Sequence, residues 1–268
     1  MISYGIVAHG GVGTPSELSD GCKTACETAF RMLETGRDSL DAVVEAARVL
    51  EDDGRFNAGK GSVLRIDGKT IEMDAAVMDS EGQIGIVINI RDVKNPVLIA
   101  RAVIGTPHVA FAGQGAEAFA RDLGFVPYHD FFRKAAPNAT EKSEKHPSDT
   151  IGVVALDKNG FFAVATSTGG STPMMVGRVG DAPMIGCGFY AGPYGAIAVT
   201  GMGEESIRKM MAKTVYDMIA DNMDPKSACK KALGLFASGV KMGIIAISRS
   251  DWAIAAKDTM AHWSMLRK

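Results

Sequence analysis

Two runs in the middle of the chain leave little freedom in how it folds: "TIGVVAL" at 150–156 and "FFAVATST" at 161–168, separated by "DKNG". Asn-Gly is a strong signal for a tight hairpin turn. Both runs are continuously apolar rather than alternating, so both predict strands covered on two faces. The segment before them is opposite in character. Residues 134–149, "KAAPNATEKSEKHPSD", hold almost no aliphatic bulk and predict an exposed, mobile linker that adds nothing to a core. Thr150 stands on the border. It either opens a strand or marks a place where the chain is cut.

The rest of the chain supplies helices and further strands. "YGIVAHGG" predicts a short buried strand ending in a glycine turn. Residues 16–35 place Leu18, Cys22, Ala25, Ala29, Met32 and Leu33 near helical spacing, with Gly36 as a stop. Ser39 is expected to cap the helix "SLDAVVEAARVLED". Residues 63–90 alternate strand-like runs with Asp-Gly and Glu-Gly turns, and 96–124 predict a helix from Pro96 to Gly124. Strands are expected at "AIAVT", "VKMGIIAIS" and "WAIAAKD", with helices near 204–221 and 225–236. This order does not alternate as βαβ, which disfavours a doubly wound parallel sheet. Buried strands with enough helix for two outer layers point to an α+β fold, an αββα sandwich in a single domain over 1–268.

Charge excludes some partners. Lys plus Arg number 29 and Asp plus Glu 31, so no basic surface calls for nucleic acid or an anionic membrane. No apolar run is long enough to span a bilayer. The first residues, "MISYGIVAHGG", lack the basic start of a signal peptide, so a cytoplasmic protein is expected. The four cysteines show no CxxC and no zinc spacing with histidine, which predicts reduced, buried thiols. The 15 methionines have no reading beyond core packing.

A threonine hydroxyl is a poor nucleophile without a base. None of the five histidines sits in a nucleophile-elbow motif, and His146 falls in the polar linker. The residue's own α-amine, with a pKa of about 8, could serve, but only after the preceding peptide bond is cut. An accessible loop before Thr150 and a buried strand after it suit such a cut. Most threonines at such borders merely satisfy a backbone group. Other residues complete a set that amide hydrolysis could use. Thr168 follows in "ATSTGGS". Arg178 in "GRVGDAP" offers a fork for an α-carboxylate, and Asp181 a partner for an α-ammonium. Thr200 and the Gly201 N–H in "VTGMGEE" can face a developing oxyanion.

"HGG" at 9–11, "FNAGKGS" at 56–62, "DTIGVVALDKNG" at 149–160, "TSTGG" at 166–170, "GRVGD" at 177–181 and "TGMGE" at 200–204 occur in this order. Together they resemble the plant-type L-asparaginase/isoaspartyl aminopeptidase family of N-terminal-nucleophile hydrolases, over nearly the whole chain. The resemblance implies an αββα precursor that cuts itself between Asp149 and Thr150 into an α subunit of 1–149 and a β subunit of 150–268. It makes Thr150 the nucleophile and its freed amine the base, with Thr168 hydrogen-bonded to it and Asn57 beside it. Arg178, Asp181 and Gly203 would hold the substrate, and Thr200 and Gly201 the oxyanion. No cofactor would enter the chemistry. A structural sodium ion would rest on backbone carbonyls of Leu50, Glu51, Asp53, Phe56, Ala58 and Lys60. The processed protomers would pair as an (αβ)₂ homodimer.

The implied activity is release of L-aspartate from L-asparagine or β-aspartyl dipeptides. Two alternatives stand beside it, a glycosylasparaginase-like hydrolase and an unprocessed relative with a binding role. "TSTGG" and "HGG" favour the asparaginase branch, and the short linker leaves out the large insert of a taspase. Two departures bear on the reading. Asp149 stands where many members have Gly, and Met202 where a small hydroxyl residue is frequent.

Overall fold

The computed structural model describes residues 1–131 and 150–268. The linker at 134–149, with His146 and Asp149, lies outside the described residues. The chain opens with β1 (Tyr4–Val12), α1 (Ser19–Glu34) and α2 (Ser39–Asp53), followed by β2 (Met73–Asp79), β3 (Ile84–Ile90), α3 (Pro96–Val103), β4 (Ala110–Ala112) and α4 (Gly113–Asp122). After Thr150 come β5 (Ile151–Leu156), β6 (Phe162–Thr168), β7 (Phe189–Gly192), β8 (Gly195–Gly201), α5 (Gly203–Lys209), α6 (Met211–Ala220), α7 (Pro225–Leu233), β9 (Met242–Ile247), β10 (Trp252–Ala256) and β11 (Met260–Arg267).

The strands form two sheets. The larger runs β11-β1-β5-β6-β2-β3-β4, and the smaller runs β10-β9-β8-β7. Among the described strands, β3 and β4 pair in parallel and every other neighbouring pair is antiparallel. The chain is thus a mixed α/β protein and not a doubly wound one. The hairpin read from "DKNG" is present, with Leu156 opposite Phe162 and Gly160 at φ 87°, a turn conformation that suits glycine.

Why these strands need apolar residues at successive positions is visible in the packing. Along β5, Val153 and Ala155 face one way and join α1 and α2 through Cys22, Leu33, Val43 and Leu50. Val154 and Leu156 face the other way and meet Phe189, Ala198, Ile245 and Ile247 of the smaller sheet. A period of two thus feeds two separate apolar layers. A third cluster joins Ile197, Val199, Ile244 and Ala246 of the smaller sheet to Met211, Val215, Ala228 and Cys229 on α6 and α7. All four cysteines are buried and unbridged.

Several local expectations need correction. The helix read over 96–124 is two helices flanking β4; Gly105 and Pro107 break it, because proline supplies no amide and clashes with the preceding turn. The helix read over 204–221 breaks at Met210, at φ 44°. Just beyond it, the amides of Ala212 and Lys213 donate to the carbonyls of Cys187 and Gly186 instead of to a preceding turn. The final helix stops at Leu233, not near 236. Asp38 rather than Ser39 caps α2, accepting from the Asp41 amide at 2.7 Å. Residues 63–66, "VLRI", read as strand-like, are not a strand; buried Arg65 holds them to "TSTGG" instead. No described helix is long and apolar enough to cross a membrane.

Candidate active site

Thr150 lies immediately before β5, a central strand with β1 on one side and β6 on the other. Ile151 pairs with Ser167, so the residue of β6 nearest Thr150 is Thr168. Strand parity then aims both side chains. Val154 and Leu156, an even number of residues from Thr150, face the smaller sheet, as do Phe162 and Val164 in the same relation to Thr168. Ala196 and Ala198 of β8 face back, and Thr200 shares their parity. Thr150 just before β5, Thr168 at the end of β6 and Thr200 on β8 thereby all turn toward the space between the sheets at one end. All three are buried.

A small cavity of about 10 Å³ is lined by Thr150, Thr168, Arg178, Asp181 and Gly201 together. Thr168 Oγ1 accepts from the Gly170 amide at 3.0 Å, which leaves its own proton to be given elsewhere. Thr200 Oγ1 accepts from the Val12 amide at 3.3 Å. Gly201 lies at φ 133°, and a methyl group there would run into the Lys241 carbonyl. Gly201→Ala is expected to cost about 2 kcal/mol or more in urea unfolding, from the strained φ and the overpacking together. An unchanged midpoint would show that the turn yields.

Asp181 is buried, and its Oδ2 has no hydrogen-bond partner among the described residues. An orphaned carboxylate oxygen is costly, and it suits a site that a cation is meant to fill. Burial pushes its carboxyl up to about 6, against the pull of Ser206 and Arg178. Gly203 makes the arrangement feasible: a methyl group there would lie 2.9 Å from Asp181 Oδ1 and 3.1 Å from Arg178 Nη2. The Arg178 fork is engaged by Glu204, with Nε and Nη2 donating to Oε1 at 3.0 and 2.8 Å and Nη2 to Oε2 at 2.9 Å.

Asn57 does not line the cavity. Its Nδ2 donates to the Gly170 carbonyl, its Oδ1 accepts from the Val63 amide at 3.1 Å, and its own carbonyl accepts from the Gly169 amide at 2.8 Å. It fixes the turn that follows Thr168.

The sequence model of the family described as "Asparaginase" matches residues 3–135 and 128–267. The chain belongs to the asparaginase family. It is 38% identical to the plant-type L-asparaginase of Pyrococcus horikoshii, over 95% of this chain and 93% of that protein. It is 35% identical to the isoaspartyl peptidase/L-asparaginase of Mus musculus, over 99% and 89% of the two chains. To the protein of that name in Danio rerio it is 36% identical, over 97% and 91%.

In this asparaginase-family chain Glu204 and Arg65 escaped the sequence reading, as did the role of the Glu51 side chain, which was expected to act only through its carbonyl. Glu204 stands inside the quoted motif "TGMGE", so its proximity to the fork was available as a signal. Arg65 is fully buried; its Nη1 donates to the Gly169 carbonyl and its Nη2 to the Glu72 carbonyl, and it forms an ion pair with Glu72 at 3.2 Å. Burial holds its guanidinium below the usual arginine range. Glu51 is also fully buried, and its Oε1 accepts from Ser167 Oγ at 2.7 Å, one residue before Thr168. No periodicity or motif marks these last two as neighbours of the threonines.

Helix α2 ends at Asp53 with Gly54 at φ 75°, so the carbonyls of its last turn have no further helical amide to accept from. The Phe56 and Gly54 carbonyls crowd the place where a side chain on Gly61 would stand, and the Glu51 carbonyl lies 2.8 Å from where one on Gly59 would begin. Of the six carbonyls expected around sodium, those of Glu51 and Phe56 border this glycine turn, and those of Phe56 and Ala58 already accept from the Ala58 and Gly61 amides at 2.9 and 3.1 Å. No His, Cys, Asp or Glu cluster suited to a metal occurs among the described residues.

Proposed function

We propose that this chain is a self-processing amidohydrolase that releases L-aspartate from L-asparagine or β-aspartyl dipeptides. The observation that carries the reading is the convergence of Thr150, Thr168, Arg178, Asp181 and Gly201 on one cavity between the sheets. The names of the relatives, L-asparaginase and isoaspartyl peptidase, supply the substrate class. The two sheets, with helices packed on the outer face of each, support an αββα sandwich of the N-terminal-nucleophile type.

In this reading a cut between Asp149 and Thr150 gives subunits 1–149 and 150–268. The freed α-amine of Thr150 takes the proton of its own hydroxyl as Oγ attacks the side-chain carbonyl of the substrate. The Thr200 hydroxyl and the Gly201 amide hold the oxyanion. Arg178 takes the α-carboxylate, Asp181 the α-ammonium, and Gly203 keeps the two side by side. The departing nitrogen receives the proton and leaves as ammonia or an amino acid. Water then hydrolyses the β-aspartyl ester, and Thr150 recovers its proton. Sodium, held by carbonyls of Leu50, Glu51, Asp53, Phe56, Ala58 and Lys60, would steady the loop that carries Asn57. An (αβ)₂ homodimer in the cytoplasm completes the proposal.

Intact-mass analysis after incubation tests it. Two fragments with Thr150 as a new N-terminus, together with aspartate release from asparagine, are expected. A chain that stays whole, or aspartate release by an uncut chain, would sink the mechanism.

A further inference from the structure

Asn89 carries three costs that strand β3 does not need. It stands at φ 49°, a backbone conformation unfavourable to a residue with a side chain. It belongs to a bulge: Met73 pairs with Ile90 and Ala75 with Val87, so Ile88 and Asn89 together oppose Asp74. Its Oδ1 is buried with no hydrogen-bond partner among the described residues. What the bulge delivers is the other end of the amide. Asn89 Nδ2 donates to the Gly177 carbonyl at 3.2 Å, and the next residue in the chain is Arg178.

Two carboxylates stand behind this contact. Asp74 Oδ1 accepts from the Asn89 amide at 2.7 Å, and Glu72 Oε2 accepts from the Gly177 amide at 2.7 Å. Gly177 is thus held at both its N–H and its carbonyl. Glu72 is itself fixed by ion pairs with Arg65 and Arg91. Asp74 is buried and lies opposite Thr168 in the pairing of β2 with β6, so one strand both borders that threonine and holds the root of Arg178. At the tip, Glu204 takes the Nε and Nη2 edge of the guanidinium. Nη1 lies toward Gly180, 2.6 Å from where a side chain there would begin, and Gly180 lines the small cavity with Thr150.

Resting on the function proposed above, we infer that Asn89, backed by Asp74 and Glu72, is a positioning residue for Arg178. It sets where the α-carboxylate of the substrate is taken and does not touch the substrate itself. A fork preset in this way loses little freedom when it binds, so the strain kept at Asn89 appears as substrate affinity.

The test is steady-state kinetics on asparagine, with kcat counted per cut chain, for the parent, Asn89→Gly, Asn89→Asp and Asn222→Gly. Glycine removes the Nδ2 donor and the orphaned Oδ1 and suits the backbone; aspartate keeps the size and loses the donor. Asn222 has a similar backbone conformation, φ 69°, between α6 and α7, and serves as the control. KM is expected to rise about three- to tenfold in both Asn89 variants, the scale of one lost hydrogen bond, with kcat within about twofold of the parent. Asn89→Gly should keep Tm within about 3 °C, because relief at φ and at Oδ1 offsets the added freedom of the unfolded chain. Asn222→Gly should leave KM as it was. An unchanged KM in the Asn89 variants, a rise that comes only with a larger loss of Tm, or an equal rise in Asn222→Gly overturns the inference while leaving an amidohydrolase in place. No aspartate release by the parent overturns the functional reading and the inference together.

Discussion

Thr150→Ala is expected to remain one chain of 28.2 kDa and to release no aspartate. One methyl-for-hydroxyethyl change removes the nucleophile from two reactions, the cut and the turnover, because in this reading both need the same Oγ. The residue is 7% exposed and small, so the fold should lose only about 1 kcal/mol. The loss of activity should exceed about 10⁴-fold, as it does when a nucleophile that works as part of a unit is removed. Thr150→Ser keeps the hydroxyl and should keep the cut, with slower turnover. Mass analysis beside circular dichroism separates loss of chemistry from loss of fold. A folded Thr150→Ala chain that still splits, or still releases aspartate, would remove Thr150 from the mechanism.

Asp181→Asn should lower kcat/KM on the order of a thousandfold and yet raise stability at pH 8. The first effect follows from leaving the substrate ammonium without its buried counter-charge. The second follows from linkage. The folded carboxyl titrates at about 6, above the 3.8 of an ordinary aspartate. Between those values the folded chain holds a proton that the unfolded chain has lost, so stability falls as pH rises from about 4 to about 6 and stays reduced above. An amide carries no such loss and should recover about 1–3 kcal/mol at pH 8, a rise of a few degrees in Tm. In the parent enzyme kcat/KM should fall as pH drops through about 6, where the carboxyl takes up its proton. A variant with unaltered kcat/KM and a lower Tm at pH 8 would assign Asp181 a packing role only.

The sequence disclosed most where a local pattern had one physical meaning. Continuous apolar runs flanking Asn-Gly read as a doubly covered hairpin because only strands buried on both faces tolerate them. The ordered motifs brought Thr150, Thr168, Arg178, Asp181 and Gly201 to a common site because each sits at a strand end or a glycine turn. Contacts between distant segments left no such trace. Arg65 reaching the Gly169 carbonyl and Glu51 reaching Ser167 Oγ depend on how a loop and a helix lie against the large sheet, which no spacing encodes. The break at Met210 was equally hidden, since a methionine is ordinarily a good helix former and the carbonyls that replace its helical partners come from Gly186 and Cys187.

The strand order of the large sheet has a consequence for the proposed two-chain enzyme. Strands from before and after residue 150 are interleaved in the sheet: β1 lies between β11 and β5, and β6 pairs with β2. Each fragment would hold the edges the other needs, and neither would own a complete core. Cutting one peptide bond would then turn a unimolecular folding problem into a bimolecular one. Thermal unfolding of the processed enzyme would depend on protein concentration more steeply than that of the Thr150→Ala chain. Halves separated in denaturant would regain activity only when mixed, at a rate that grows with how much of each is present.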